Sequence, residues 1–409
     1  MKNKIINRFN FIIYWIIILM PFSIAIAPGM IYTFFGIMAF SFLAKKSLKR
    51  ERVFIKTCVN LPFIFLILAA LLSFKNTTNL PDSIHGVAKI IVTGLTFLIC
   101  AEEIKDRDHI KKIIYGIIFS ASLIGLDAIV QLATGRDFIH GYQLKYAIGI
   151  ARVTASFPNS NILGIYITSI TAVIVVLALF LRQTNIKRLC ILGAVLGSIG
   201  VLLTFSRGAG IGLYLGILLI SVIRKNKILI SGLVILPLIF AILMPKNIKE
   251  WAKEIHYNPM VFMWNYDRIS IYKNALNMIA HHPVIGVGVN TFCRNYLTYK
   301  LPEPENAKSA DSVYAHNNFL QMAGEIGLLG LAAFFWFLYR LFKNAYLVYK
   351  KLDDEFCKMV SLSIIASLTA FLINGMTETS LYYSRISMIF WYFAGFSLAL
   401  NKFSHAERA

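Results

Sequence analysis

The sequence predicts an all-α integral membrane protein of about twelve spanning helices with one large external loop. Three observations carry this. Of 409 residues, 57% are hydrophobic and 15% charged, and the mean hydropathy is +0.67. Soluble domains hold roughly 45–50% apolar and 25% charged residues, so a water-facing globule cannot hide this surface. The apolar stretches run for about 15–22 residues without period-two alternation, which makes them helices rather than barrel strands. Finally, Lys and Arg crowd the connections on one side of the implied membrane.

That last point disposes of another class. A formal charge of +21, from 41 basic and 20 acidic residues, would suggest nucleic acid in a soluble protein. Distributed in this way it reports membrane orientation, and no nucleic-acid partner is expected. The five Cys form neither a pairing framework nor a CxxC metal pattern.

Each element has its own warrant. The basic start leads into an apolar run without a convincing cleavage site, so it reads as an uncleaved first helix over residues 11–27. Pro28-Gly29 turns the chain into a short second helix, 29–43. The strongly basic stretch 45–56 marks the cytoplasmic side. Helices follow at 61–74 and 85–101, separated by a polar turn. The charged inner loop 102–112 leads to a helix at 113–133. Gly, Pro and Asn breakers define an outer loop at 135–161. Helices at 162–181, 189–205, 208–223 and 228–244 complete the first nine spans. Residues 1–244 thus hold spans one to nine, 245–316 the external loop, and 317–409 spans ten to twelve with a cytoplasmic tail. The last three spans are expected at 317–339, 359–377 and 385–400, and both termini lie inside.

A seventy-residue connection is long enough to expect function of it. Residues 248–255 carry Trp251 and alternate charged with apolar positions, as an interfacial helix does. Ile269, Tyr272, Leu276 and Ile279 recur at helical spacing over 268–280, and His281-His282-Pro283 ends that helix. Gly286-Val287-Gly288 makes a tight turn, and 302–309 reads as a polar, mobile stretch. No repeat or low-complexity segment stands out.

Three residues stand out as able to carry chemistry, and several more need weighing. Arg207 sits at the outer junction of spans seven and eight, where the positive-inside rule disfavours Arg. Ser206, Gly208 and Gly210 leave room beside it, and a guanidinium offers paired donors to phosphate. The alternative is a snorkelling interfacial Arg. Arg268 opens the external helix, either as a weak surface pair with Asp267 or as a second clamp on the same anion. His316 begins span ten at a helix N-terminus, whose dipole disfavours the imidazolium. A neutral ring there suits a general base, and the plain alternative is a cap. Glu325 lies half a turn out of phase with His316 and reads as a packing or supporting residue. Asp127 and Gln131 share a face and suggest an interhelical hydrogen bond. Glu378 and Arg385 would pair in the last outer turn, or Arg385 would add to a positive mouth. His281 and His282 diverge on their helix, so a metal site is not expected.

Arg and His converging on one membrane face suit an anionic, lipid-linked substrate. They also suit a transporter, although transporters favour inverted repeats and broken helices at the midplane.

At these residues the chain resembles the O-antigen ligase and polymerase superfamily of bacterial envelope proteins. Thr204 to Gly210 resembles its Ser-Arg-Gly element before a helix. Arg268, His282-Pro283, Gly286-Val287-Gly288 and Phe292 resemble its signature in the large periplasmic loop. His316-Asn317-Asn318 through Glu325 to Gly330 resembles its His-initiated helix. The resemblance covers about residues 189–341.

It implies a GT-C-like, metal-independent membrane glycosyltransferase with no cofactor, working at the periplasmic face of the bacterial inner membrane. The implied donor is a glycan on undecaprenyl diphosphate. The implied acceptor is a sugar hydroxyl of lipid A–core in a ligase, or a second lipid-linked glycan in a polymerase. Carried over, Arg207 and Arg268 would hold the diphosphate and His316 would activate the acceptor hydroxyl. Glu325, Asn317 and Arg385 are supporting candidates.

Overall fold

The computed structural model describes residues 2–404, apart from 27, 54, 148, 183–184, 245 and 303–313. The expected polar stretch at 302–309 therefore falls, all but its first residue, outside the described residues, as does the end of the tail.

The chain is a helical bundle. In order, the helices are α1 (Lys2–Ile26), α2 (Pro28–Lys49), α3 (Asn60–Leu72), α4 (Leu80–Glu103), α5 (Arg107–Thr134), α6 (Ser160–Phe180), α7 (Asn185–Leu203), α8 (Arg207–Ile223) and α9 (Lys227–Leu243). The long connection then holds α10 (Lys246–Glu254), α11 (Pro259–His281) and α12 (Phe292–Asn295). The chain closes with α13 (Asn318–Lys351), α14 (Glu355–Asn374) and α15 (Ser384–Ala399). All twelve apolar segments are thus helical, as α1–α9 and α13–α15.

Among the described residues, eight helices are long and apolar enough to cross a membrane, and α9 with α10, bent by 88°, would make a ninth. The chain is a multi-pass membrane protein. The apolar α3 and α8 fall short of spanning length.

Burial sorts the helices. α6, α14 and α15 are buried along most of their length, whereas α9 buries only Leu233 and packs on α8 at the rim. The core is held by rings, with Phe63, Phe97, Phe337, Phe390 and Trp391 in mutual contact. Pro21 inside α1 has no N–H, so the Ile17 carbonyl loses its helical partner. The Tyr392 hydroxyl donates to that carbonyl at 3.0 Å, and the Tyr166 hydroxyl to the Pro21 carbonyl at 2.7 Å. The freed Ile17 carbonyl and both buried phenols are thereby satisfied.

The outer loop after α5 is less irregular than its breakers suggest. A short antiparallel hairpin pairs β1 (Lys145–Ala147) with β2 (Ile150–Arg152). Asp127 and Gln131 serve this loop rather than another helix. Gln131 Oε1 accepts from the Thr154 and Ala155 amides at 2.7 and 2.8 Å, and Asp127 accepts from the Phe138 amide at 2.9 Å.

The two helices expected in the long connection form, with altered limits. α11 starts nine residues before Arg268, because Asn258 caps it and Pro259 occupies its first turn. It is broken at Asn265 (φ 59°, ψ 163°), so Arg268 lies just past a kink rather than at a helix start. α11 ends at His281 before Pro283, as expected. His281 Nδ1 lies 2.9 Å from the Asn277 carbonyl, and His282 Nε2 lies 2.7 Å from the Tyr299 hydroxyl.

Pro283 to Gly288 then docks into α13, which opens at Gly327 (φ 71°, ψ 179°). The Leu328 amide donates to the Pro283 carbonyl at 2.8 Å and the Leu329 amide to that of Val284 at 3.3 Å. In return the Val287 and Gly288 amides donate to the carbonyls of Gly324 and Glu325. A Cβ on Gly327 would sit 2.0 Å from the Val284 carbonyl oxygen, and one on Gly286 2.4 Å from the Glu325 backbone. Glycine is required at both for space as well as for positive φ.

Candidate functional site

The site is built around the turn between α14 and α15, residues 375–383. Three segments converge on it. α8 arrives first, led by Phe205 in the left-handed region (φ 47°) and Ser206 before Arg207. A Cβ on Gly208 would lie 2.2 Å from Thr377 Oγ1, so this helix end approaches the turn as only glycine allows. The start of α13 arrives second. His316 is left-handed (φ 46°), and Asn317 caps the helix by accepting from the Phe319 and Leu320 amides at 2.9 and 3.1 Å. Asn318, fully buried, binds the turn from both ends of its amide. It donates to Ser380 Oγ at 2.8 Å and accepts from the Leu381 amide at 2.9 Å. Its own backbone N–H donates to the Gly375 carbonyl at 2.7 Å. The third segment is α11, whose Tyr272 hydroxyl lies 3.0 Å from the carbonyls of both His316 and Met376.

Glu378 is the hub. One carboxylate oxygen accepts from Arg268 Nη2 and, at 2.7 Å, from Asn161 Nδ2. The other lies 3.0 Å from His316 Nδ1. A carboxylate only accepts, so Nδ1 carries a proton, and in a neutral ring the lone pair is then on Nε2. Burial alone would raise the Glu378 pKa. The His316 hydrogen bond and the Arg268 charge outweigh it and hold the carboxyl below its ordinary value of 4.5.

Arg152 extends the cluster from the hairpin. Its Nη2 donates to Asn161 Oδ1 at 2.7 Å and its Nε to the Thr204 carbonyl at 2.8 Å. Burial lowers its pKa, helped by the Arg268 charge and opposed by Glu378.

Arg207 lies within electrostatic reach of Arg268 and Arg152. Its guanidinium stacks on the Trp251 ring at 5.5 Å. One amino group donates to the Phe262 carbonyl and the other to Asn265 Oδ1 at 2.9 Å. Both acceptors are neutral, so the arginine retains its full charge for an anion. Arg152, Arg207 and Arg268 sense one another's charge, and Glu378 pairs directly with Arg268, so the cluster is net positive.

Of the residues singled out in the sequence, Arg207, Arg268, His316 and Asn317 come together here. Arg268 pairs with Glu378. Glu325 stands apart, buried, and accepts from the Asn290 amide at 2.7 Å, the Phe292 amide at 3.3 Å and Gln321 Nε2 at 2.7 Å. It fixes the loop turn onto α13, in keeping with a supporting reading. Arg385 does not pair with Glu378. It donates to the Ile24 and Ala25 carbonyls at 2.7 and 2.8 Å and covers the Phe157 ring at 4.2 Å, tying α15 to the end of α1. Among the described residues, no group of three or more His, Cys, Asp or Glu is placed to hold a metal ion.

An arginine before a helix is followed along the chain by a long loop that runs into a His-initiated helix. Residues 192–335 match the O-antigen ligase family model. The match is consistent with the O-antigen ligase superfamily and takes in Arg207, Arg268, His316, Asn317 and Glu325. O-antigen ligase family members are membrane glycosyltransferase-like enzymes, which supports a ligase- or polymerase-type function in general. Lipid-linked glycans and their acceptors are the partners of that family in general. No curated protein matches the chain.

Glu378 and Arg385 lie beyond the matched segment. Glu378, Asn161, Arg152 and Asn318 were not singled out from the sequence as site residues. For Glu378 a signal existed, an acid placed just before an outer helix start on a face otherwise rich in arginine.

Proposed function

We propose that this chain is an O-antigen ligase. It transfers a glycan from undecaprenyl diphosphate to a sugar hydroxyl of lipid A–core at the periplasmic face of the inner membrane. The observation that carries the reading is Glu378 binding Arg268 through one oxygen and His316 through the other. That pairing couples an anion clamp to a base with a defined tautomer.

The acceptor hydroxyl gives its proton to His316 Nε2 as its oxygen attacks the anomeric carbon. The bond from that carbon to the diphosphate oxygen breaks, and the electron pair leaves with the diphosphate. A single displacement inverts the anomeric centre. Glu378 holds the ring and stabilises the imidazolium that forms, as the carboxylate of a catalytic triad does. Arg207 turns from its two neutral acceptors to the diphosphate and, with Arg268, meets the growing charge. No metal or nucleotide takes part in these steps, because the donor is already activated.

A surface-glycan gel from the native host, with and without the protein, tests this. Lipid A–core without any ladder, with long glycan accumulating on the carrier lipid, is the expected result of loss. Core bearing a single repeat unit would assign the chain instead as a polymerase joining lipid-linked units. An unchanged ladder would refute both.

A further inference from the structure

Arg152 and Asn161 have no step in the transfer, yet both bear on the carboxylate that orients the base. Asn161 lies in the first turn of α6, where Asn159 does the capping by accepting from the Ile162 amide at 2.8 Å. Its side chain is therefore left for tertiary contacts, and both ends are used. Nδ2 donates to Glu378 Oε1 at 2.7 Å, and Oδ1 accepts from Arg152 Nη2 at 2.7 Å. An amide can lie either way round, and a carboxylate requires its NH₂ end. A guanidinium only donates, so Arg152 fixes the opposite end as oxygen. Arg152 ends β2 and is itself held in place. Its Nε donates to the Thr204 carbonyl at 2.8 Å, and the next amide, of Val153, donates to the Leu203 carbonyl at 3.1 Å. The hydrogen bonds from Arg152 through Asn161 to Glu378 thus have one sense only.

Asn161 also decides which carboxylate oxygen His316 meets. Asn161 Nδ2 and Arg268 Nη2 share Oε1, which leaves Oε2 to His316 Nδ1. Arg152 adds charge to this geometry. It has no ion-pair partner among the described residues, its acceptors are neutral, and it acts on Glu378 from behind the amide. The other ionisable groups that face Glu378 are Arg268 and Tyr272 of α11, His316 ahead of α13 and Tyr383 of its own turn. Arg207 of α8 faces Arg268 and Arg152. A diphosphate diester brings two negative charges to Arg207 and Arg268. Negative charge near a carboxylate favours its protonation, and a protonated Glu378 would no longer compel Nδ1 to carry the ring proton.

We propose that Arg152 and Asn161 are positioning residues, which act through Glu378 to keep His316 in the tautomer that accepts at Nε2 while the anionic donor is bound. The inference rests on the transfer reaction proposed above. The donor draws on Arg207 and Arg268, and Arg152 stays with Asn161 as the cation that offsets the incoming charge.

The test is the pH dependence of transfer by the full chain in nanodiscs, with kcat and KM read separately, for the unaltered protein, Arg152→Met and Asn161→Leu. One variant removes a cation and the other a donor, so each makes protonation of the Glu378–His316 pair easier. The acid limb of kcat is expected to move up by about one pH unit in both, with KM for the donor within about threefold. A raised KM with an unmoved limb would make Arg152 a donor ligand and overturn the proposal. A fall in kcat that is equal at every pH, the mark of a merely structural role, would overturn it too. Thermal unfolding shows whether each variant is folded, and the two are read independently, so one that fails to fold leaves the other decisive. A second readout needs no substrate. Nitrogen-15 NMR of the histidine-labelled chain in bilayers, with the His316 signals identified by their loss in His316→Gln, follows protonation of that ring. Its titration is expected to move up by about the same one unit in both variants. An unmoved titration overturns the pairing, whereas a moved titration in a chain that transfers nothing supports the pairing and sinks the reaction alone.

Discussion

Glu378→Gln separates a positioning carboxylate from a merely structural one. The side chain is 5% exposed and meets Arg268, Asn161 and His316 at once. Glutamine keeps the shape and one acceptor oxygen. That oxygen stays with Arg268 and Asn161, so the amide NH₂ faces His316 Nδ1. An amide there donates, which moves the ring proton to Nε2 and removes the lone pair that would take the acceptor's proton. The same exchange of carboxylate for amide in a serine-protease triad lowers turnover about 10⁴-fold, and a loss of roughly 10³–10⁴ is expected here. KM for the donor should change little, because Arg207 is untouched. Removing the charge also weakens the fold. Arg268 and His316 are 18% and 29% exposed, so solvent screens part of the loss. About 1–2 kcal/mol is expected rather than the 3–5 of a fully buried pair. The assay is transfer by the purified protein in nanodiscs from a lipid-diphosphate glycan, read as kcat and KM separately. A variant that is destabilised yet keeps kcat within about threefold would refute the positioning role.

The other expectations are narrower. Arg207→Ala should insert and fold but lose about 10²–10³ in transfer, with Arg207→Lys restoring only part for want of paired donors, as the same nanodisc assay reads. A His316→Ala enzyme that transfers normally would remove the general base from the mechanism. Gly327→Ala forces a Cβ against the Val284 carbonyl at φ 71°, and should cost more than about 2 kcal/mol in a thermal-unfolding series. Because the Glu378 pKa is depressed on folding, its contribution is complete above 4.5 and lost as pH falls through the lowered value. Acid unfolding of Glu378→Gln should lack that component.

Hydropathy and charge located all twelve apolar helices, because spans in lipid are selected for length and apolarity that a window can read. Arg207 and His316 were legible for a related reason, since each breaks a local expectation of its segment. Glu378 was not. Its partners lie 110 and 62 residues away, and no periodicity connects them. The kink at Asn265 hid the true start of α11, although Asn258-Pro259 is an ordinary start signal. Arg385 misled because adjacency to Glu378 suggested a pair, whereas tertiary packing turns it to two carbonyls at the end of α1.

The docking of Pro283 to Gly288 into α13 has a mechanical consequence. The loop supplies hydrogen bonds that a continuous helix would have made for itself. Peeling that part of the loop away would strand amides of Leu328 and Leu329 without acceptors. The stretch from Pro283 to Gly288 is therefore tied to the bundle by these bonds. The front stretch, Lys246 to Asn265, has no such docking among the described residues, and its grip on Arg207 consists of a ring face and two neutral oxygens. The firmly and the lightly held stretches of this connection are thus different parts of the same chain.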